Sequence, residues 1–148
     1  MILTIVVATI AGSEVALPAD RIDCVIELGA LTPVPRAPAA IAGLATLRSR
    51  VLTVIDTSVA LGLAPDRTSS GGTGGKAVVI RHGGHDYALC VDAVRDVKQA
   101  AGEVEPLSVP VGDGWQRVAR GMIATGASHL LLIDPDKLIK MQELEMIT

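Results

Sequence analysis

The sequence predicts an all-β protein made of two related halves, either a sandwich or a pair of small barrels. Three observations carry this. Short β-branched runs recur along the chain, Gly-rich turns separate them, and the pattern of one half returns in the other.

The first run is Leu3–Ile10, within MILTIVVATIAG. Ile, Val and Thr dominate it, which favours a strand. It lacks the basic residues that open a signal peptide. The apolar stretch Ile2 to Ala11 is also too short for a bilayer, which needs about 20 residues. Further strands are expected at Val51–Ile55, Ala77–Ile80, Tyr87–Val91 and Leu130–Ile133. Turns fall at AGSE (11–14), GGTGG (71–75), HGGHD (82–86), VGDG (111–114) and TGAS (125–128).

Only two segments carry helix signals. Ser58–Leu63 can form a single turn that Gly62 ends. DPDKLIKMQELEMIT is stronger: Asp134 can cap it, Pro135 stands at the first helical position, and Asp136 lies in the first turn. Leu138, Ile139, Met141 or Gln142, and Met146 give a loose apolar face.

SSGGTGGKA imitates a phosphate-binding loop only at Gly75-Lys76. Ser70 occupies the first glycine position and Ala77 replaces the metal-binding hydroxyl. A strand follows where the motif requires a helix N-terminus. The segment reads as a flexible linker over 67–75.

EVALPADRIDCV from Glu14 aligns with DYALCVDAVRDV from Asp86, 72 residues on. Ala16 meets Ala88, Leu17 meets Leu89, Asp20 meets Asp92, Ile22 meets Val94 and Val25 meets Val97. GLATLRSRVLTVID from Gly43 aligns with GMIATGASHLLLID from Gly121, 78 residues on. Gly43 meets Gly121, and Ile55-Asp56 meets Ile133-Asp134. The halves are expected at about 11–66 and 76–134, followed by a helix over 135–146. Units of roughly 65–70 residues are marginal alone, so the halves should pack together. The seam between them is the natural groove.

Composition narrows the function classes. Net charge is −3 and no Lys/Arg run stands out, which speaks against a nucleic-acid or membrane-surface partner. Trp115 and Tyr87 are the sole aromatic residues of the Phe, Tyr and Trp class, so the core is aliphatic and base stacking has little support. Cys24 and Cys90 show no CxxC or Cys/His spacing and read as free thiols of a cytoplasmic protein.

No nucleophile set is visible. His82 and His85 flank a Gly-Gly turn, and two ligands fall short of the three or four that a stable metal site needs. They read as an exposed hairpin tip. A small metal-binding or enzymatic barrel using them and the repeated Asp20, Asp56, Asp92 and Asp134 is the alternative. Those aspartates stand at strand ends or before turns, where Asp hydrogen-bonds backbone. Trp115 either anchors its loop, VGDGWQRVARG, or is an exposed contact residue. An interaction module with no cofactor fits better than an enzyme.

Four stretches in order resemble the chemotaxis coupling proteins, the CheW-like domain family. EVALPADRIDCVIEL is similar to the family's first-barrel segment ending in V-x-E. TPVPRAPAAIAGLATLRSRVLTVID resembles its P-x-x-P…G-x-x-N-L-R-G…P-V-[IV]-D block. DYALCVDAVRDV and ARGMIATGASHLLLIDPDKLI resemble the matching second-barrel and closing segments. Thr46 and Ser49 stand where the family has Asn and Gly, and Thr53 where it has Pro. The resemblance implies two packed five-stranded SH3-like β-barrels with a C-terminal helix, and a free-standing adaptor. Its implied partners are the chemoreceptor cytoplasmic tip and the regulatory domain of the chemotaxis histidine kinase. It also implies receptor-binding residues: Glu27 and Arg48 as an ion pair, with Val25, Gly43, Leu44 and Leu47 around them. A carboxylate can hold a guanidinium bidentately and orient it for a partner. The second-half counterparts of Arg48 and Arg50 are Gly126 and Ser128. Neither arginine is therefore needed to build a barrel. Arg48 is assigned to the contact surface, and Arg50 is expected to be a solvated turn charge.

Overall fold

The computed structural model describes residues 2–63, 75–101, 103–107, 110–126 and 128–147. Ten strands are present among them: β1 (Ile2–Ile10), β2 (Ser13–Pro18), β3 (Ile22–Glu27), β4 (Ile41–Leu47), β5 (Arg50–Ile55), β6 (Lys76–His82), β7 (His85–Val91), β8 (Ala93–Ala101), β9 (Ala119–Thr125) and β10 (Ser128–Ile133). Three helices accompany them: α1 (Thr57–Ala60), α2 (Asp113–Val118) and α3 (Pro135–Ile147). The strands form two five-stranded sheets, ordered β8-β1-β2-β10-β9 and β3-β6-β7-β5-β4.

This order corrects the expected subdomain limits. The sheets do not follow the contiguous segments 11–66 and 76–134. The hairpin β1–β2 pairs with β8 and, in parallel, with β10. The hairpin β6–β7 pairs with β3 and, in parallel, with β5. Each half thus lends its hairpin to the other half's three strands. The repeat survives, because β2 and β7 occupy equivalent central places. Most of the linker expected at 67–75 lies outside the described residues.

Burial explains the exchange. Val15 and Leu17 of β2 face a large shared core, together with Val78, Ile80, Leu89 and Val91 of β6–β7. Their neighbours face barrel interiors: Ala16 with Ile5, Val7, Ile123 and Leu132 in one, and Ala77, Val79, Ala88 and Cys90 with Leu52 and Val54 in the other. A strand buried on both faces reads as a continuous apolar run. Small residues on the interior side suit a narrow barrel. Burying one such Val, Leu or Ile side chain contributes about 1.5–3 kcal/mol. A shared core of this kind ties the two barrels together.

The repeated residues serve the backbone. Asp56 accepts from Val59 N at 3.3 Å and caps α1, and Asp134 accepts from Asp136 N at 3.0 Å at the start of α3. Asp92 accepts from Gly12 N at 2.9 Å. Gly43 (φ +150°) and Gly121 (φ +149°) lie at the same point of β4 and β9. A Cβ on Gly43 would stand 2.8 Å from Thr32 O, and one on Gly121 only 2.1 Å from Glu105 O. Both sites therefore require glycine.

The expected turn at 111–114 differs: Asp113 opens α2. Gly114 lets this helix lie against the Leu61 backbone, whose carbonyl oxygen a Cβ would meet at 1.8 Å. Trp115 packs half-buried against the shared core, which makes it an anchor. A cleft of about 450 Å³ runs beside it, lined by Leu61, Leu63, Gly112 and Arg117 among others. On α3, Leu138, Ile139 and Gln142 are buried, while the side chain of Met146 lies outside the described residues.

Candidate functional site

The site is built from β3 and the β4–β5 hairpin. In β3, Cys24 and Ile26 pack on one barrel interior, and Asp23, Val25 and Glu27 face out, as a period of two requires. Val25 is 43% exposed. On the hairpin, Leu44 and Leu47 are half-buried and Arg48 is exposed. Leu47 packs on the same interior cluster as Cys24 and Ile26, so the hairpin end and β3 share one barrel wall. Val51 is 59% exposed beside Thr46, its cross-strand partner. Sequence reasoning missed Val51, because it lies inside a β-branched run and its outward phase shows only once the strand is placed.

The hairpin turns on two residues. Leu47 faces Arg50, and Arg48 and Ser49 between them take φ +48° and +70°. Both are left-handed, as a type I′ turn requires, in side-chain-bearing residues. This conformation costs about 1–2 kcal/mol per residue outside glycine.

The ion pairs differ from the implied set. Glu27 Oε1 meets Lys76 Nζ at 3.5 Å, and among the described residues no ion pair joins Glu27 to Arg48. Register gives the reason, since Glu27 stands opposite Lys76 across the β3–β6 pairing. Arg48 lies nearer Cys24: burial, then Asp23, pushes that thiol up, and the charges of Arg50 and Arg48 oppose the shift. Three residues of strand separate Cys24 from Glu27, about 10 Å. Arg50, expected to be a free turn charge, is instead paired. Its Nη2 lies 3.0 Å from Asp23 Oδ2 and its Nη1 3.6 Å from Asp86 Oδ1. The Arg50 hydrogen bond holds the Asp23 carboxyl below its usual range.

His82 and His85 face each other at the end of the β6–β7 hairpin, but the His82 ring is engaged by α3 and not free at an exposed tip. His82 Nδ1 lies 2.8 Å from Asp136 Oδ1, and His82 Nε2 lies 3.7 Å from Glu143 Oε1. Arg21 Nε donates to Asp136 Oδ2 at 2.7 Å, and Tyr87 OH donates to Glu143 at 3.1 Å. This network fastens α3 to β6 and β7. The Arg21 hydrogen bond, then that of His82, pulls the Asp136 carboxyl down to about 2. Burial, then Glu143, pushes the Tyr87 phenol up. The described residues bring no three His, Cys, Asp or Glu side chains together as a metal-binding group. Cys24 and Cys90 are free thiols, and burial pushes Cys90 up to about 12.

The CheW-like domain family matches this chain over residues 4–143. The chain belongs to the CheW-like family. It is similar to the chemotaxis protein CheW of Thermotoga maritima, 26% identical over 126 residues, which is 84% of this chain and 80% of that protein. The chemotaxis protein CheW of Rhizobium meliloti is 28% identical over 115 residues, covering 77% of this chain and 72% of that protein. Among solved structures, the scaffolding protein TtCheW of Thermoanaerobacter tengcongensis superposes with a TM-score of 0.79 at 25% identity, over 93% of this chain and 92% of that one. This CheW-like chain is a non-catalytic adaptor of chemotaxis signalling, built on paired SH3-like barrels. The metal-binding or enzymatic alternative is not favoured. No helix among its described residues is long and apolar enough to cross a membrane.

Proposed function

We propose that this protein works in the cytoplasm and couples the cytoplasmic tip of a chemoreceptor to the regulatory domain of the chemotaxis histidine kinase. The receptor tip meets the β3 and β4–β5 surface. Val25, Leu44 and Leu47 supply its apolar part, Arg48 its charge, and Glu27 its rim, while Gly43 sets the hairpin's path. The observation that supports this reading most is the exposed Arg48 on a left-handed turn, set against the same barrel wall as β3. An exposed Val25 and half-buried leucines beside one guanidinium suit the apolar face of a receptor helix hairpin.

A pull-down of purified chain with receptor-tip peptide and with the kinase regulatory domain tests this. Retention of both supports the coupling role. Retention of neither sinks it.

A further inference from the structure

The two halves repeat in backbone detail but not in the side chains placed on it. Asp23 is the extra residue of a β-bulge, where pairing with β6 slips between Ile22 and Cys24. Its counterpart is Arg95, at the slip of β8 against β1. Bulges re-aim a side chain. Arg95 Nε reaches Thr9 Oγ1 at 3.4 Å, whereas Asp23 receives Arg50.

Arg50 begins β5 and spans three strands, with Asp23 on β3 at one end and Asp86 on β7 at the other. Asp86 Oδ1 is buried and has no hydrogen-bond partner, so the guanidinium is the charge that faces it. Arg50 also follows directly on the left-handed pair Arg48–Ser49. Such strain persists where the surroundings over-determine it. In the second half the counterpart of Arg48 is Gly126, which takes φ +61° freely, and the counterpart of Arg50 is Ser128. The clamp is present where the turn carries side chains, and it is missing where the turn begins with glycine.

We infer that Arg50 is the positioning residue of the proposed receptor surface: its grip on Asp23 and Asp86 holds the Arg48–Ser49 turn against β3 and presents Arg48 beside the β3 edge. This rests on the functional reading above, which supplies the partner. A lysine ammonium is a single point charge and cannot take both carboxylates with the fork of a guanidinium.

The test measures amide hydrogen exchange at residues 47–50 and affinity for receptor-tip peptide, in Arg50→Gln, Asp23→Asn, their double variant and Arg50→Lys. Each of the first two is expected to speed exchange at the turn and to weaken tip binding roughly three- to tenfold. The double variant is no worse than Arg50→Gln, because without the guanidinium Asp23 has no contact left to lose. Arg50→Lys falls between Arg50→Gln and the unmodified chain. Unchanged exchange in Arg50→Gln, or single effects that multiply in the double variant, overturns the inference. Failure of the unmodified chain to bind the tip sinks the functional reading alone. Exchange at the turn then still decides Arg50, faster supporting it and unchanged overturning it.

Discussion

Ser49 holds φ +70° without being glycine, next to Arg48 at +48°. A serine there carries a Cβ penalty that glycine lacks. Ser49→Gly is therefore expected to stabilise the chain by about 1 kcal/mol. For a domain of this size that is a Tm rise of roughly 2–4 °C. A fall in Tm would contradict the account of the turn. Side-chain partners were the least readable level from sequence. Asp23, Val25 and Glu27 all face outward on β3, so spacing alone left two acids available to an arginine. Register gave Glu27 to Lys76, and the bulge turned Asp23 towards Arg50. Neither register nor a bulge can be read from one strand in isolation. Gly43 was readable as important through its repeat at Gly121, and its task is to admit a neighbouring backbone.

At the scale of elements, α3 is docked by Leu138 and Ile139, buried in the shared core, and by a polar clamp beside them. Asp136 joins Arg21 and His82, and Glu143 joins Tyr87. The Asp136 carboxyl titrates near 2 in the folded chain against an ordinary 3.8. A depressed folded-state value stabilises above the ordinary one and is lost as pH falls through the folded one. The clamp should therefore weaken between about pH 4 and 2. Asp136→Asn is expected to speed hydrogen exchange of α3 at neutral pH and to flatten its pH dependence in that acid window. An unchanged acid profile would show that the clamp does not hold the helix. The helix start was plain in the sequence, since Asp134-Pro135 is a strong N-terminal signal. Its docking was not, because Arg21 and His82 lie far away in the chain. Strands β1, β5, β6, β7 and β10 were visible as β-branched runs for the reason that they are largely buried. Strands β8 and β9 are interrupted by charged and small residues, and α2 is only six residues long.

For the whole molecule, the sequence repeat revealed two related halves but not which strands each barrel contains. Alignment reports equivalence, and an exchange of equivalent hairpins leaves every aligned pair intact. Only pairing partners distinguish the arrangements, and here β2 meets β10 while β7 meets β5. The exchange packs the two barrels as one unit around a common aliphatic core. Within that unit the first-half hairpin alone carries Arg48, and this asymmetry supports a one-sided contact surface. The most direct measurement is a titration of receptor-tip peptide and of the kinase regulatory domain into the purified chain, with Arg48→Glu alongside. The account predicts that the unmodified chain binds both. Arg48→Glu, with an unchanged melting curve, should keep the kinase domain and lose at least roughly tenfold in affinity for the tip. Equal tip affinity in both proteins would contradict the claim that this turn is the receptor contact.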